Sequence, residues 1–151
     1  MLEKLWNEEG PFDVLWGHSQ GAILLAAIMA SPDKSPLHSA KNVILNGCAW
    51  PKPFENHLES FREREKKQKG VMGKGDGSSP TKRTMLLHVV GAADTINPPE
   101  QGRRVCDSFA YDCSELYEHE LGHVVPCSPE AFHRYRDFLI ASGVLEKPSK
   151  S

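Results

Sequence analysis

Gly17-His18-Ser19-Gln20-Gly21 joins an apolar, strand-like run at residues 12–16 directly to a helix-like run at 22–30. A serine between a strand and a helix, with glycine two residues to either side, is the context of a nucleophile elbow. The turn must be tight enough to push the hydroxyl toward substrate, and the glycines let it close without Cβ clashes. A hydroxyl becomes a useful nucleophile only when a base takes its proton. The segment therefore predicts two further residues elsewhere in the chain, a histidine and a carboxylate.

The rest of the chain supplies the elements such a turn needs. Residues 2–7 suit a short helix closed by Gly10-Pro11, and 20–30 a longer one stopped at Ser31-Pro32. Apolar runs at 42–45 and 85–90 predict two more strands, and weak alternation at 116–121 a fourth. Phe132, Tyr135, Phe138 and Leu139 recur at helical spacing within 129–142. Strands alternating with helices predict a parallel α/β sheet in a single domain spanning residues 1–151. Residues 62–83 differ: Lys, Arg, Glu, Gly and Ser dominate, with almost no apolar side chains, so a mobile charged insertion is expected there. Its basic residues (Arg62, Arg64, Lys66, Lys67, Lys69, Lys74, Lys82, Arg83) are interspersed with Glu63, Glu65 and Asp76, which suits a solvated loop. Gly73-Lys74-Gly75-Asp76-Gly77 lacks the spacing of a phosphate-binding loop.

Composition narrows the function. With 39% hydrophobic and 25% charged residues over 151 positions, the chain reads as a soluble globular protein with one core. A formal net charge of −2 gives no reason to expect nucleic acid or an anionic membrane as a partner. Cys48, Cys106, Cys113 and Cys127 are irregularly spaced, which suits reduced thiols better than a zinc ribbon or redox pair. The apolar stretch at 22–30 is too short to span a bilayer, and the acidic start at Glu3 and Glu8 is unlike a signal peptide. A cytoplasmic protein is expected, with nuclear import through the basic segment as a lesser option.

In α/β-hydrolases the partners follow the nucleophile in the order acid, then histidine. Asp94 stands after the run at 85–90, in Gly91-Ala92-Ala93-Asp94-Thr95-Ile96-Asn97-Pro98-Pro99, where open α/β sheets carry functional residues. His123 follows the fourth strand candidate in Gly122-His123-Val124-Val125-Pro126. Either residue has a plainer use, Asp94 as cap of a helix near Pro98 and His123 as a loop histidine bound to backbone. Asp13 and Asp112 are the next carboxylates to consider. His18, His38, His57, His88 and His133 lack that context and read as structural or exposed. The Gln20 backbone N–H is placed to donate to an oxyanion, and Trp50 and Phe54 are candidates for acyl contact or for loop packing.

These segments together resemble the FSH group of α/β-hydrolases, small eukaryotic serine hydrolases that include the ovarian-cancer-associated esterase. The resemblance runs from Gly10-Pro11-Phe12-Asp13 through the elbow, Leu87-His88-Val89-Val90-Gly91, Asp94, Pro98-Pro99 and Gly122-His123-Val124-Val125-Pro126. It implies a Ser19, Asp94 and His123 triad acting on a small-molecule carboxylic ester or thioester, with no cofactor. His18 departs from the family, which more often has Phe there. The elbow also stands at residue 19, whereas such hydrolases carry several strands before it and a loop bearing a second oxyanion donor. The expectation is a partial α/β-hydrolase fold, mostly parallel with flanking helices and lacking the usual first strands. An uncovered edge at residues 12–16 would favour self-association.

Two other classes compete. A hydrolase remnant could serve as a binding module for a partner or ligand. His119-Glu120-Leu121-Gly122-His123 matches H-E-x-x-H, the zinc-peptidase signature, which needs both histidines on one helix. Gly122 and Pro126 make that helix a poor proposition.

Overall fold

Four parallel strands, β1 (Val14–His18), β2 (Asn42–Asn46), β3 (Met85–Gly91) and β4 (Ser114–His119), form one sheet in the order β1-β2-β3-β4. They come from a computed structural model that describes residues 1–71, 83–109 and 113–146. The helices are α1 (Leu2–Glu9), α2 (Gln20–Ala30), α3 (Glu55–Val71), α4 (Pro99–Cys106) and α5 (Pro129–Ala141). None of the described helices is long and apolar enough to cross a membrane.

Burial explains the strand order. All five residues of β2 are buried, as are six of the seven in β3, so these continuous apolar runs occupy the middle. Alternation divides them between two layers. Val43, Leu45 and Leu86 pack with Leu25, Ala26 and Met29 of α2, Leu58 of α3 and Val105 of α4. Ile44, Leu87 and Val89 face the other way, onto Ala131, Tyr135 and Phe138 of α5. Helices cover both faces, and every strand's carboxyl end is left at one edge of the sheet.

Three expectations are corrected. The first strand lies at Val14–His18, two residues later than expected, because Phe12 turns aside to pack edge-on against Trp6 of α1. The fourth lies at Ser114–His119, two residues earlier, paired with the segment from Leu86 to Gly91. The larger correction is α3, because residues 62–71 of the expected charged loop continue a helix. Leu58 is fully buried, Phe61 stacks on Phe109, and the Arg64 guanidinium donates to the Ala30 carbonyl at 3.0 Å. Those anchors hold it to α2 and to Phe109 beyond α4. The rest of the expected insertion, 72–82, lies outside the described residues.

His88 in β3 is buried beside Phe109, with neither ring nitrogen hydrogen bonded. Burial pushes its pKa down from 6.5 to about 3. An unfolded chain takes up that proton near pH 6.5, so between these values the unfolded state binds more protons than the folded one. Stability should then fall as pH drops below 6.5, by at most about 1.4 kcal/mol per pH unit from this residue. His88→Leu is expected to flatten that decline in urea titrations at pH 7, 6 and 5. An unaltered slope would place the acid sensitivity elsewhere.

Candidate functional site

Strand β1 ends at His18 and helix α2 begins at Gln20, leaving Ser19 alone to make the reversal. Its backbone takes φ 53° and ψ −117°, the one positive φ among the described non-glycine residues. Such a conformation costs on the order of 1–3 kcal/mol and persists only where its surroundings enforce it. Here the Ser19 N–H donates to the Asn46 carbonyl at 3.0 Å, and the Ser19 carbonyl accepts from the Ile23 N–H at 3.0 Å. Gly17 makes the turn sterically possible, since a Cβ there would lie 2.5–2.6 Å from backbone atoms of Gly21 and Ala22. The flanking glycine thus serves the close crossing of strand and helix.

Asp94 sits in the loop after β3, 4% exposed. One carboxylate oxygen accepts the backbone N–H groups of Ile96 and Asn97, both at 2.9 Å. The other lies 2.7 Å from Nδ1 of His123. Burial opposes ionisation of this carboxyl, but the hydrogen bonds from His123, Asn97 and Ile96, with the attraction of His123, outweigh it. The net effect holds Asp94 below the usual carboxylate range, so it is an anion at neutral pH. The helix-capping use foreseen for Asp94 is not seen, since α4 starts at Pro99 with no side-chain cap; Asp94 instead holds two loop amides with one oxygen, leaving the second for His123.

His123 stands in the loop after β4. That loop is tied to the Asp94 loop by Ala92 N–H donating to the His119 carbonyl at 2.8 Å and Ala93 N–H to Leu121 at 3.2 Å. Its Nε2 lies 2.9 Å from the Ser19 hydroxyl oxygen. Because Nδ1 donates to a carboxylate, Nε2 is left as the basic nitrogen, facing the serine. Ser19, His123 and Asp94 are thus linked in a continuous hydrogen-bonded chain that can move a proton off the hydroxyl.

The end of β2 was not read as functional, yet it organises the site. The Asn46 carbonyl holds Ser19, and the Gly47 carbonyl accepts from the Asn97 side chain at 2.6 Å, fixing the Asp94 loop. Gly47 has φ 58° and lies against the His123 ring: an added Cβ would stand 3.2 Å from Cε1 and 3.3 Å from Nδ1. A glycine just past a buried strand, at the sheet's carboxyl edge, was the available signal. His18 is exposed, as expected, and its ring stands beside that of His123. Cys48, next in the chain, offers no rival nucleophile, because burial pushes its thiol up to about 12.

The candidates for acyl contact are otherwise engaged or peripheral. Trp50 is buried, its Nε1 donating to Glu55 at 3.2 Å and its ring face covered by the Arg104 guanidinium at 3.6 Å. Phe54 is partly exposed and packs on His57. The loops carrying Asp94 and His123 instead expose Ile96, Leu121 and Val124. The H-E-x-x-H segment is not helical: His119 ends β4 and the next residues form the loop. The two histidines are therefore not one helical turn apart, as that signature requires.

The serine hydrolase (FSH1) family profile matches residues 1–135. Among curated proteins, Esterase GA18864 of Drosophila pseudoobscura pseudoobscura is 24% identical over 138 residues, covering 91% of this chain and 41% of its own length. Esterase CG5412 of Drosophila melanogaster is 24% identical over 137 residues, covering 91% and 42% respectively. The chain thus spans about two fifths of these relatives. Among solved structures, a Paleococcus ferrophilus monoacylglycerol lipase superposes with a TM-score of 0.59 at 19% identity, over 94% of this chain and 73% of that one. The Pyrococcus furiosus esterase PF2001 gives 0.54 at 15% identity, over 93% and 58%. At these identities the likeness is one of fold, that of the α/β-hydrolases.

Proposed function

Because the chain belongs to the serine hydrolase (FSH1) family, we propose that it cleaves carboxylic ester or thioester bonds, with Ser19 as nucleophile, His123 as base and Asp94 as the acid that orients it. The observation that carries this reading is the unbroken chain from Ser19 Oγ through His123 to Asp94, at 2.9 and 2.7 Å. Ser19 Oγ attacks the acyl carbonyl while Nε2 of His123 takes its proton. The carbonyl oxygen becomes an oxyanion, toward which the Gln20 N–H, at the positive end of α2, can donate. Collapse expels the alcohol or thiol with the proton held by His123, leaving an acyl-serine. Water then attacks by the same route in reverse, releasing the acid.

Ile96, Leu121 and Val124 border the loops that carry Asp94 and His123, so an apolar acyl group suits the surface better than a charged one. A binding-module reading gives no reason for Ser19 to be held in a costly backbone conformation within reach of a histidine base. The test is direct. A fluorophosphonate should add to Ser19 and be found on its tryptic peptide by mass spectrometry, and an unlabelled serine would overturn the assignment.

A further inference from the structure

His18 is the last residue of β1 and immediately precedes Ser19. Its ring centroid lies 4.9 Å from that of His123, with the planes tilted by 38°. Its Nδ1 stands 3.2 Å from Oδ1 of Asn46, the residue directly opposite it on β2. An amide oxygen only accepts, so the His18 Nδ1 carries a proton in this pair. Asn46 is fully buried, and its carbonyl is the one that holds the Ser19 N–H. Gly47 lies against both rings: an added Cβ would stand 3.2 Å from the His123 ring and 3.5 Å from that of His18. The two imidazoles sit side by side, His18 exposed on its outer edge and tied on its inner one to the central sheet.

We propose that His18 is a positioning residue, whose ring, pinned by Asn46, is the wall that keeps His123 turned toward Ser19. The proposal rests on the role assigned above to His123. When Ser19 Oγ bonds to the acyl carbon, its proton moves to Nε2 and His123 becomes a cation. That transfer needs Nε2 aimed at the hydroxyl, so the ring lying against His123 bears on the rate. The Asp94 carboxylate faces His123 on the Nδ1 side. From β2, Asn46 and Gly47 bring no charge, while Tyr135 of α5 interacts with Asn46 and His119 at the end of β4 with Asp94. His18 is thus the ring that lies against His123 itself.

The test uses the whole chain as parent, His18→Ala and His18→Phe. Turnover of p-nitrophenyl acetate and the rate of fluorophosphonate addition to Ser19 are followed at pH 8, with the unfolding temperature of each protein. His18→Ala should lower kcat roughly 10- to 100-fold while KM stays within about threefold, because the base is misplaced and the substrate surface is untouched. His18→Phe, which restores a flat ring without a charge, should recover most of that loss at pH 8. Parental kcat in the Ala variant, or a Phe variant that melts like the parent yet is as slow as Ala, would overturn the wall. Should Ser19 label at one rate in all three proteins, this inference alone falls. If the parent serine takes no label, the reading of the site falls with it.

Discussion

Ser19→Ala is expected to abolish ester hydrolysis, with a fall in kcat of roughly 10⁴-fold or more, because the atom that forms the acyl bond is gone. The protein should stay folded. Ser19 contributes one hydroxyl to a hydrogen bond with His123, and its backbone bonds to Asn46 and Ile23 do not involve the side chain. A companion variant separates chemistry from strain. Ser19→Gly is equally inactive in this reading, but glycine adopts φ 53° without a Cβ penalty, so it should be more stable than Ser19→Ala by about 1 kcal/mol. Kinetics with a p-nitrophenyl ester and urea unfolding check both halves. Parental turnover in Ser19→Ala would move the nucleophile elsewhere, while equal stability of the two variants would show that the elbow is relaxed.

Residues whose role is local were readable from the sequence. Gly17 announces the tight turn at Ser19, since a Cβ there would collide with α2, whereas Gly21 has open space around it; the apolar runs of β2 and β3 announce buried parallel strands. Asp94 and His123 could be placed by their positions after strands, although their hydrogen bonds needed the fold. What depended on a distant partner was not readable. Helix α3 has a polar surface beyond Leu58 and Phe61, so its pattern lacks a helical stripe, and it is its docking on Ala30 and Phe109 that identifies its inner side. β4 was misplaced because Glu115 and Glu118 on an outer strand dilute the alternation. Asn46, Gly47 and Asn97 act only through loops brought together by the sheet, and His18 gains its neighbour from a residue more than a hundred positions away.

Asp94→Asn should leave the fold intact and still cut the rate by about 10⁴-fold at neutral pH. The reason lies in how the carboxylate is held. The N–H groups of Ile96 and Asn97 both point at one oxygen, and in the amide that position must be filled by Oδ1, since an NH₂ there would meet two donors. The NH₂ is then forced toward His123 Nδ1, which must accept. The ring proton moves to Nε2, so that a donor rather than a base faces Ser19. Asp94→Ala removes the anion without imposing that tautomer, so it should be no slower than the isosteric Asn variant. It should also be less stable by about 1–3 kcal/mol, because two loop amides lose their acceptor. The stability advantage of Asp over Asn has a pH signature as well. Asp94 titrates below the usual range in the folded protein, so its contribution is complete above the ordinary carboxyl value near 4 and is lost as pH falls through the folded one. Fluorophosphonate labelling across pH, with unfolding curves at pH 3 to 7, tests the ranking. A fast Asn variant, or an Ala variant slower than Asn, would show that Asp94 does not set the tautomer of His123.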